Sequence, residues 1–183
     1  MITDKGVEKK SDHLSAKRIA FGISGGIGAV ETVRLMRELR RHGAEITTFL
    51  TPSATRFITE LSLAWASQGR VIGQAGEDVD HLDPFDVVVV APLTLNTLSK
   101  CALGITDNPV TLLVAGQLGR GGKIALVPAM NLQLQRHPLY SHYCEVMERF
   151  GANFFPATPE EGRLKMPSPE SFSEWLIEVC RER

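Results

Sequence analysis

The chain has 183 residues, 43% of them apolar and 22% charged, with a formal net charge of −1. That size and balance fit one domain with a real core and exclude a disordered or fibrous chain. The near-neutral charge gives no global basic field, so neither nucleic acid nor an anionic membrane is expected as a partner. No apolar run reaches the roughly 18 residues of a membrane-spanning helix. The three cysteines, Cys101, Cys144 and Cys180, are far apart and form neither a disulfide framework nor a metal spacing, which points to a reducing cytoplasm.

Residues 1–16 are polar, lack the apolar stretch of a signal peptide, and are expected to form a flexible extension ahead of a single domain over 17–183. A buried strand is expected from Arg18 to Ile23. It breaks at Ser24-Gly25-Gly26-Ile27-Gly28 and gives way to a helix with Val30, Val33, Leu35, Met36 and Leu39 on or near one face. Gly43 stands where a C′ glycine belongs. A second strand, Ala44 to Leu50, runs into Thr51-Pro52-Ser53, and an amphipathic stretch covers about 53–67.

The clearest strand is Asp86 to Pro92, whose four successive valines indicate burial on both faces. Helices are expected over about 95–103 and 109–118, then a strand from Lys123 to Val127, a helix over about 137–150, a strand near 152–155 and a last helix over 169–181. This alternation predicts an α/β fold: a three-layer open parallel sheet, Rossmann-like or flavodoxin-like, with helices on both faces. In such sheets ligands sit beyond the carboxyl ends of the strands.

The glycine turn is friendly to phosphate, because glycines let the backbone approach and a helix start offers N–H donors. It does not fit a dinucleotide. Glu31 stands where the third glycine of G-x-G-x-x-G would be, and the second strand ends in hydroxyls without the acid that a ribose requires. A Tyr-x-x-x-Lys pair is also missing, since Cys144 follows Tyr140 and Met147 follows Tyr143 at that spacing.

Two further segments lie at strand ends on the same sheet edge: Pro92-Leu93-Thr94-Leu95-Asn96-Thr97 and Pro128-Ala129-Met130-Asn131. With Thr51-Pro52-Ser53-Ala54-x-x-Phe57 and Gly104-Ile105-x-Asp107-Asn108, they resemble the homo-oligomeric flavin-containing cysteine decarboxylases over about residues 17–170. That group includes phosphopantothenoylcysteine decarboxylases, lantibiotic peptidyl-cysteine decarboxylases and, more distantly, prenyl-FMN synthases. The resemblance implies FMN as cofactor, a small-molecule or peptidyl thiol as substrate, and a homotrimer or a multiple of it. It implies that Ser24, Gly25, Gly26 and Ser53 hold the FMN phosphate and ribityl region. Thr94, Leu95, Asn96, Thr97 and Ala129 would line the rest of the site, with Met130 packed nearby and Asn131 facing the substrate carboxylate. Small hydroxyl and amide groups suit these roles, since they can hydrogen-bond a flavin nucleotide without a large positive charge. From the residues alone, Met130 could equally be core filling and Asn131 a helix N-cap.

The chain departs from the family pattern in three places. Aligned without gaps, the family's histidine falls on Asp78; a three-residue deletion instead brings His81-Leu82-Asp83 onto the opening triplet, matches Leu82 and Asp83 in type, and makes His81 the candidate base. The flap stretch Pro159–Pro167 lacks the cysteine that reprotonates an ene-thiol in the pantothenate-pathway enzymes. Leu134-Gln135 stand where Met-Trp is common. The expected function is therefore an FMN-dependent oxidative decarboxylase of a cysteinyl or phosphopantothenoylcysteine-like substrate, with His81 and Asn131 catalytic. The alternatives are a non-decarboxylating redox or electron-transfer flavoprotein and, behind it, a prenyl-FMN synthase, whose basic phosphate pocket would draw on Arg56, Arg120 and Arg136.

Overall fold

The computed structural model describes residues 6–73 and 83–181. Six strands form a parallel sheet: β1 (Arg18–Ile23), β2 (Glu45–Leu50), β3 (Val71–Ile72), β4 (Val87–Leu93), β5 (Lys123–Pro128) and β7 (Ala152–Phe154). Their order is β3-β2-β1-β4-β5-β7, with the direction of winding reversing between β1 and β4. That reversal is where an open α/β sheet forms its ligand crevice. The three-layer α/β architecture expected from the sequence is the one observed.

The valine strand shows how the sheet is sandwiched. All seven residues of β4 are buried, and alternate side chains serve different cores. Val87 and Val89 join one cluster with Phe21, Leu35, Leu39, Leu63, Phe172 and Leu176. Val88 and Val90 join the other with Leu98, Val110, Leu113, Leu126 and Met147. The period of two along a strand makes this division unavoidable once both faces are covered. One face is covered by α1 (Thr32–Arg41), α2 (Glu60–Ser67) and α7 (Pro169–Arg181); the other by α3 (Leu95–Leu103), α4 (Pro109–Gly119) and α6 (Tyr140–Arg149). Asn108 caps α4 by accepting from the N–H groups of Val110 and Thr111 at 3.1 and 3.2 Å, ahead of a proline at the first helical position.

Several local expectations change. The turn after β1 does not enter α1 directly; a 3-10 segment, Ile27–Glu31, intervenes, leaving Val30 45% exposed rather than on the buried face. The amphipathic stretch over 53–67 splits into a 3-10 turn, Ala54–Arg56, and α2. Thr59 restarts the helix, its hydroxyl accepting from the N–H of Ser62 at 3.2 Å. A second, antiparallel sheet is formed by β6 (Met130–Asn131), β8 (Pro159–Glu160) and β9 (Arg163–Leu164), in the order β6-β9-β8. A short α5 (Leu132–Gln135) follows β6.

Part of the N-terminal segment, residues 10–16, departs from the flexible extension expected over 1–16. From Lys10 onward it packs on the end of α1. The N–H of Lys10 donates to the Arg41 carbonyl at 2.8 Å and that of Leu14 to the His42 carbonyl at 2.9 Å, while the Leu14 side chain is fully buried. The physical reason lies in Glu38, a carboxylate buried in α1 that accepts from Lys10 at 2.5 Å and from Arg41 at 2.7 Å. A buried carboxylate needs such partners, and the arm supplies one of them. Gly43, at φ +92°, ends the helix in the left-handed conformation expected of it.

Burial alone would raise the Glu38 pKa, but the hydrogen bonds from Lys10 and Arg41 outweigh it and hold it below the ordinary carboxylate value. A lowered folded-state pKa stabilises the fold above the unfolded value, and that stability is lost as pH falls through the folded one. Glu38→Gln is therefore expected to lower stability by about 1–3 kcal/mol at pH 7. The gap to the unmodified protein should narrow as pH falls below 4.5, the group's ordinary value, as read by urea unfolding across pH.

Candidate functional site

The site is built where β1 and β4 diverge. Ser24, at the end of β1, is fully buried. Its hydroxyl donates to the Pro92 carbonyl at 2.6 Å and accepts from the Thr94 N–H at 3.1 Å. This clamps the glycine turn against the start of α3. Ser24 therefore lines no cavity; it positions the residues that do. Thr97 is likewise buried, receiving the Thr94 hydroxyl at 3.3 Å. Met130 is buried too, but it reaches the wall of a cavity.

Two cavities open at this edge and share Gly25, Thr94 and Leu134 as a common wall. The inner one, about 540 Å³, is lined by Ser53, Leu95, Asn96 and Ser99, with His137 and Tyr143 closing it from the other side. Among the described residues no lysine or arginine lines it. Its donors are hydroxyls, an amide, an imidazole and the start of α3, where no side chain caps the first turn. The open N–H groups of that turn carry the positive end of the helix dipole. Gly25 is required sterically, because a Cβ there would come within 2.5 Å of the Ser53 Cβ.

The outer cavity, about 690 Å³, has Gly26, Gly28 and Val30 on one side and Ala129, Met130 and Asn131 at its floor. The β8–β9 hairpin and the segment after it form the opposite wall through Glu161, Arg163, Lys165 and Met166. Arg163 lies directly across the ladder from Asn131, and Leu164 across from Met130, so each pair presents its side chains on one face. Lys165 is tied to Glu160 and Glu161 at 3.0 and 2.8 Å. Asn131 sits at the N-cap position of α5 but makes no side-chain capping bond. Its amide is thus exposed to the cavity rather than spent on the helix.

Of the expected site residues, Gly25, Gly26, Ser53, Thr94, Leu95, Asn96, Ala129, Met130 and Asn131 line one cavity or the other. His81 lies outside the described residues. The sequence reading missed His137, Tyr143 and Ser99 in the inner cavity and Val30, Arg34 and the hairpin side chains in the outer one. None of Arg56, Arg120 and Arg136 lines either cavity, so they do not form the basic pocket of a prenyl-transferring relative. No cysteine lines them either. Burial pushes the Cys101 thiol up to about 12 and raises those of Cys144 and Cys180, which leaves them poor nucleophiles and poor acids. Among the described residues, no cluster of His, Cys, Asp and Glu could hold a metal ion.

The comparisons with known proteins agree with this geometry. The chain is 35% identical over 168 residues to the coenzyme A biosynthesis bifunctional protein CoaBC of Thermococcus kodakarensis, covering 88% of this chain and 41% of that protein. It is 30% identical to the protein of the same description from Methanocaldococcus jannaschii, covering 92% and 42%. The chain thus spans less than half the length of these relatives. Among solved structures, a mutant PPC decarboxylase complexed with pantothenoylaminoethenethiol superposes with a TM-score of 0.79 at 22% identity, over 91% of this chain and 99% of that one. The FMN-dependent cysteine decarboxylase TvaF from thioviridamide biosynthesis gives 0.75 at 27% identity, over 91% and 99%. The family model described as flavoprotein matches residues 7–180, and this chain belongs to the flavoprotein family.

Proposed function

We propose that the chain binds FMN across the two cavities and is an oxidative decarboxylase of a cysteinyl substrate, either a peptidyl or a phosphopantothenoyl-type thiol. The observation that carries this reading is the pairing of an uncharged, donor-rich inner cavity with an adjoining cavity that exposes the Asn131 amide. Both volumes fall within the roughly 300–1,000 Å³ of ligand sites.

The residues present fit a flavin mononucleotide. A phosphate monoester is matched by the Ser53 hydroxyl, the Gly25 backbone and the uncapped first turn of α3, the kind of site that holds phosphate without a cationic side chain. Thr94, Leu95, Asn96, Gly26 and Ala129 are available to the rest of the cofactor. Ser24 and Thr97 act one step back, by fixing Thr94.

When bound, FMN supplies a two-electron acceptor for the substrate thiol. The chain's own part is to hold and orient. The amide of Asn131 donates to the substrate carboxylate, and Arg163 beside it adds a guanidinium on the same face. Oxidation of the thiol takes a hydride from the carbon bearing sulfur and a proton from the thiol, giving a thioaldehyde whose C=S, placed β to the carboxylate, accepts the electron pair left when carbon dioxide departs. His81 is the base that takes the substrate proton. With no cysteine on either cavity among the described residues, no thiol stands ready to reprotonate the resulting ene-thiolate, which leaves as the oxidised product. That same feature favours the second reading, a redox flavoprotein without decarboxylation. The exposed Asn131 amide weighs against it.

The assembly proposed is a homotrimer or a multiple of it. Ile27 and Val30, 65% and 45% exposed, form an apolar rim at the outer cavity that a second copy would cover. The three unpaired thiols suit a reducing cytoplasm. Among the described residues no helix is long and apolar enough to cross a membrane.

Gly25→Ala should weaken FMN binding by at least tenfold or so, since the steric conflict with Ser53 falls inside the cradle. Flavin fluorescence quenching measures this, and unchanged affinity would remove Gly25 from the site. FMN-loaded protein given a C-terminal cysteinyl peptide, or phosphopantothenoylcysteine, should bleach and release carbon dioxide. Asn131→Asp should cut that release by about a hundredfold while FMN stays bound, because a second carboxylate repels the first. Bleaching without carbon dioxide from every thiol tried would sink the decarboxylase reading. Light scattering at micromolar concentration should return a trimer or a multiple, and a monomer would refute the assembly.

A further inference from the structure

His137 is a residue that neither the motifs nor the resemblance singles out. It sits in the short connection between α5 and α6 and lines the inner cavity together with Ser53 and Asn96. Its hydrogen-bonding groups are already committed, except one. The His137 N–H donates to the Leu134 carbonyl at 3.1 Å, and its carbonyl accepts from the Tyr140 N–H at 2.9 Å. The Nδ1 atom accepts from the Leu139 N–H at 3.2 Å. An Nδ1 that accepts must carry its lone pair, so the ring proton resides on Nε2. The loop thus fixes both the tautomer and the orientation of the imidazole, leaving Nε2–H as a donor at the cavity wall.

We propose that His137 is a positioning donor for the phosphate monoester of the bound flavin nucleotide, a role that rests on the FMN reading above. The argument is one of charge. The inner cavity contains no lysine or arginine among the described residues, so a phosphate there depends on neutral donors and on the α3 dipole. An imidazole whose other nitrogen is already occupied adds, among the described residues, a side-chain nitrogen donor from outside the parallel sheet's strand-end loops and α3. It closes the phosphate cradle from the α5–α6 side and links cofactor retention to the loop that follows Asn131.

The test compares two ligands that differ only in the phosphate. FMN and riboflavin affinities are measured by fluorescence quenching for the unmodified protein, His137→Ala and His137→Gln. His137→Ala should weaken FMN about tenfold, the effect of losing one hydrogen bond to a charged group, and leave riboflavin unchanged. His137→Gln, which retains an N–H donor at similar reach, should recover most of the loss. Equal weakening of both ligands, or of neither, would overturn the proposal, as would a Gln variant no better than Ala. If the unmodified protein binds riboflavin and FMN equally, the phosphate cradle itself is wrong. If it binds neither, the flavin reading fails first. Circular dichroism of each variant separates these outcomes from misfolding, which is not expected at an exposed loop residue.

Discussion

A buried hydroxyl ties the strand ends together at the point where the two halves of this sheet part. β1 and β4 pair from Ile19–Val87 to Gly22–Val90, and beyond that ladder Ser24 bridges their ends, giving its proton to one backbone carbonyl and accepting a hydrogen bond from a backbone N–H. A crevice opens beyond those ends because the winding of the sheet reverses there, so that the connections leaving the two strands run in opposite directions. A carbon in place of that hydroxyl would take this donor from the Pro92 carbonyl and this acceptor from the part-buried Thr94 N–H, each loss costing about 1–3 kcal/mol. The glycine turn and the uncapped start of α3 meet at this junction, and Ala129 is fastened beside it, its N–H donating to the Leu93 carbonyl at 3.1 Å.

The electrostatic layout divides along the same line. The inner cavity is walled by neutral donors, so an anion held there is matched by dipoles that are already oriented and lose little side-chain entropy. The outer cavity carries Arg34, Arg163 and Lys165 together with Glu31 and Glu161. Such mobile, solvated charges discriminate between partners without fixing any one strongly. The two walls thus offer different kinds of hold, fixed dipoles in the first and solvated charges in the second.

The architecture was legible wherever a segment carried a strong period. The unbroken valines of β4 announced a central strand, and α3 and α7 begin where their polar and apolar residues said they would. The strand-end motifs could be read because each lies on a contiguous run of residues beside a recognisable strand. What could not be read shares one cause. The β6-β9-β8 sheet is made of two-residue strands, too short for any alternation to register. Leu14 is a lone large apolar residue between Glu8 and Lys17, and neither its burial nor the buried Glu38 that Lys10 reaches leaves a periodic signal. His137 reaches the cavity through the closure of a loop, for which a lone histidine before a proline offers no local sign. The assignment of His81 depends on residues outside those described.

The hairpin wall has a consequence for access. Arg163 and Leu164 pair with Asn131 and Met130, and the Leu132 N–H donates to the Gly162 carbonyl at 3.1 Å. The strand bearing the exposed amide is thus also the strip to which the hairpin is fastened. Lifting the hairpin far enough to admit a bulky solute strips that strip of its ladder partners. A solute that bound only with the hairpin in place would therefore stabilise that pairing by the same factor by which the pairing strengthened its binding.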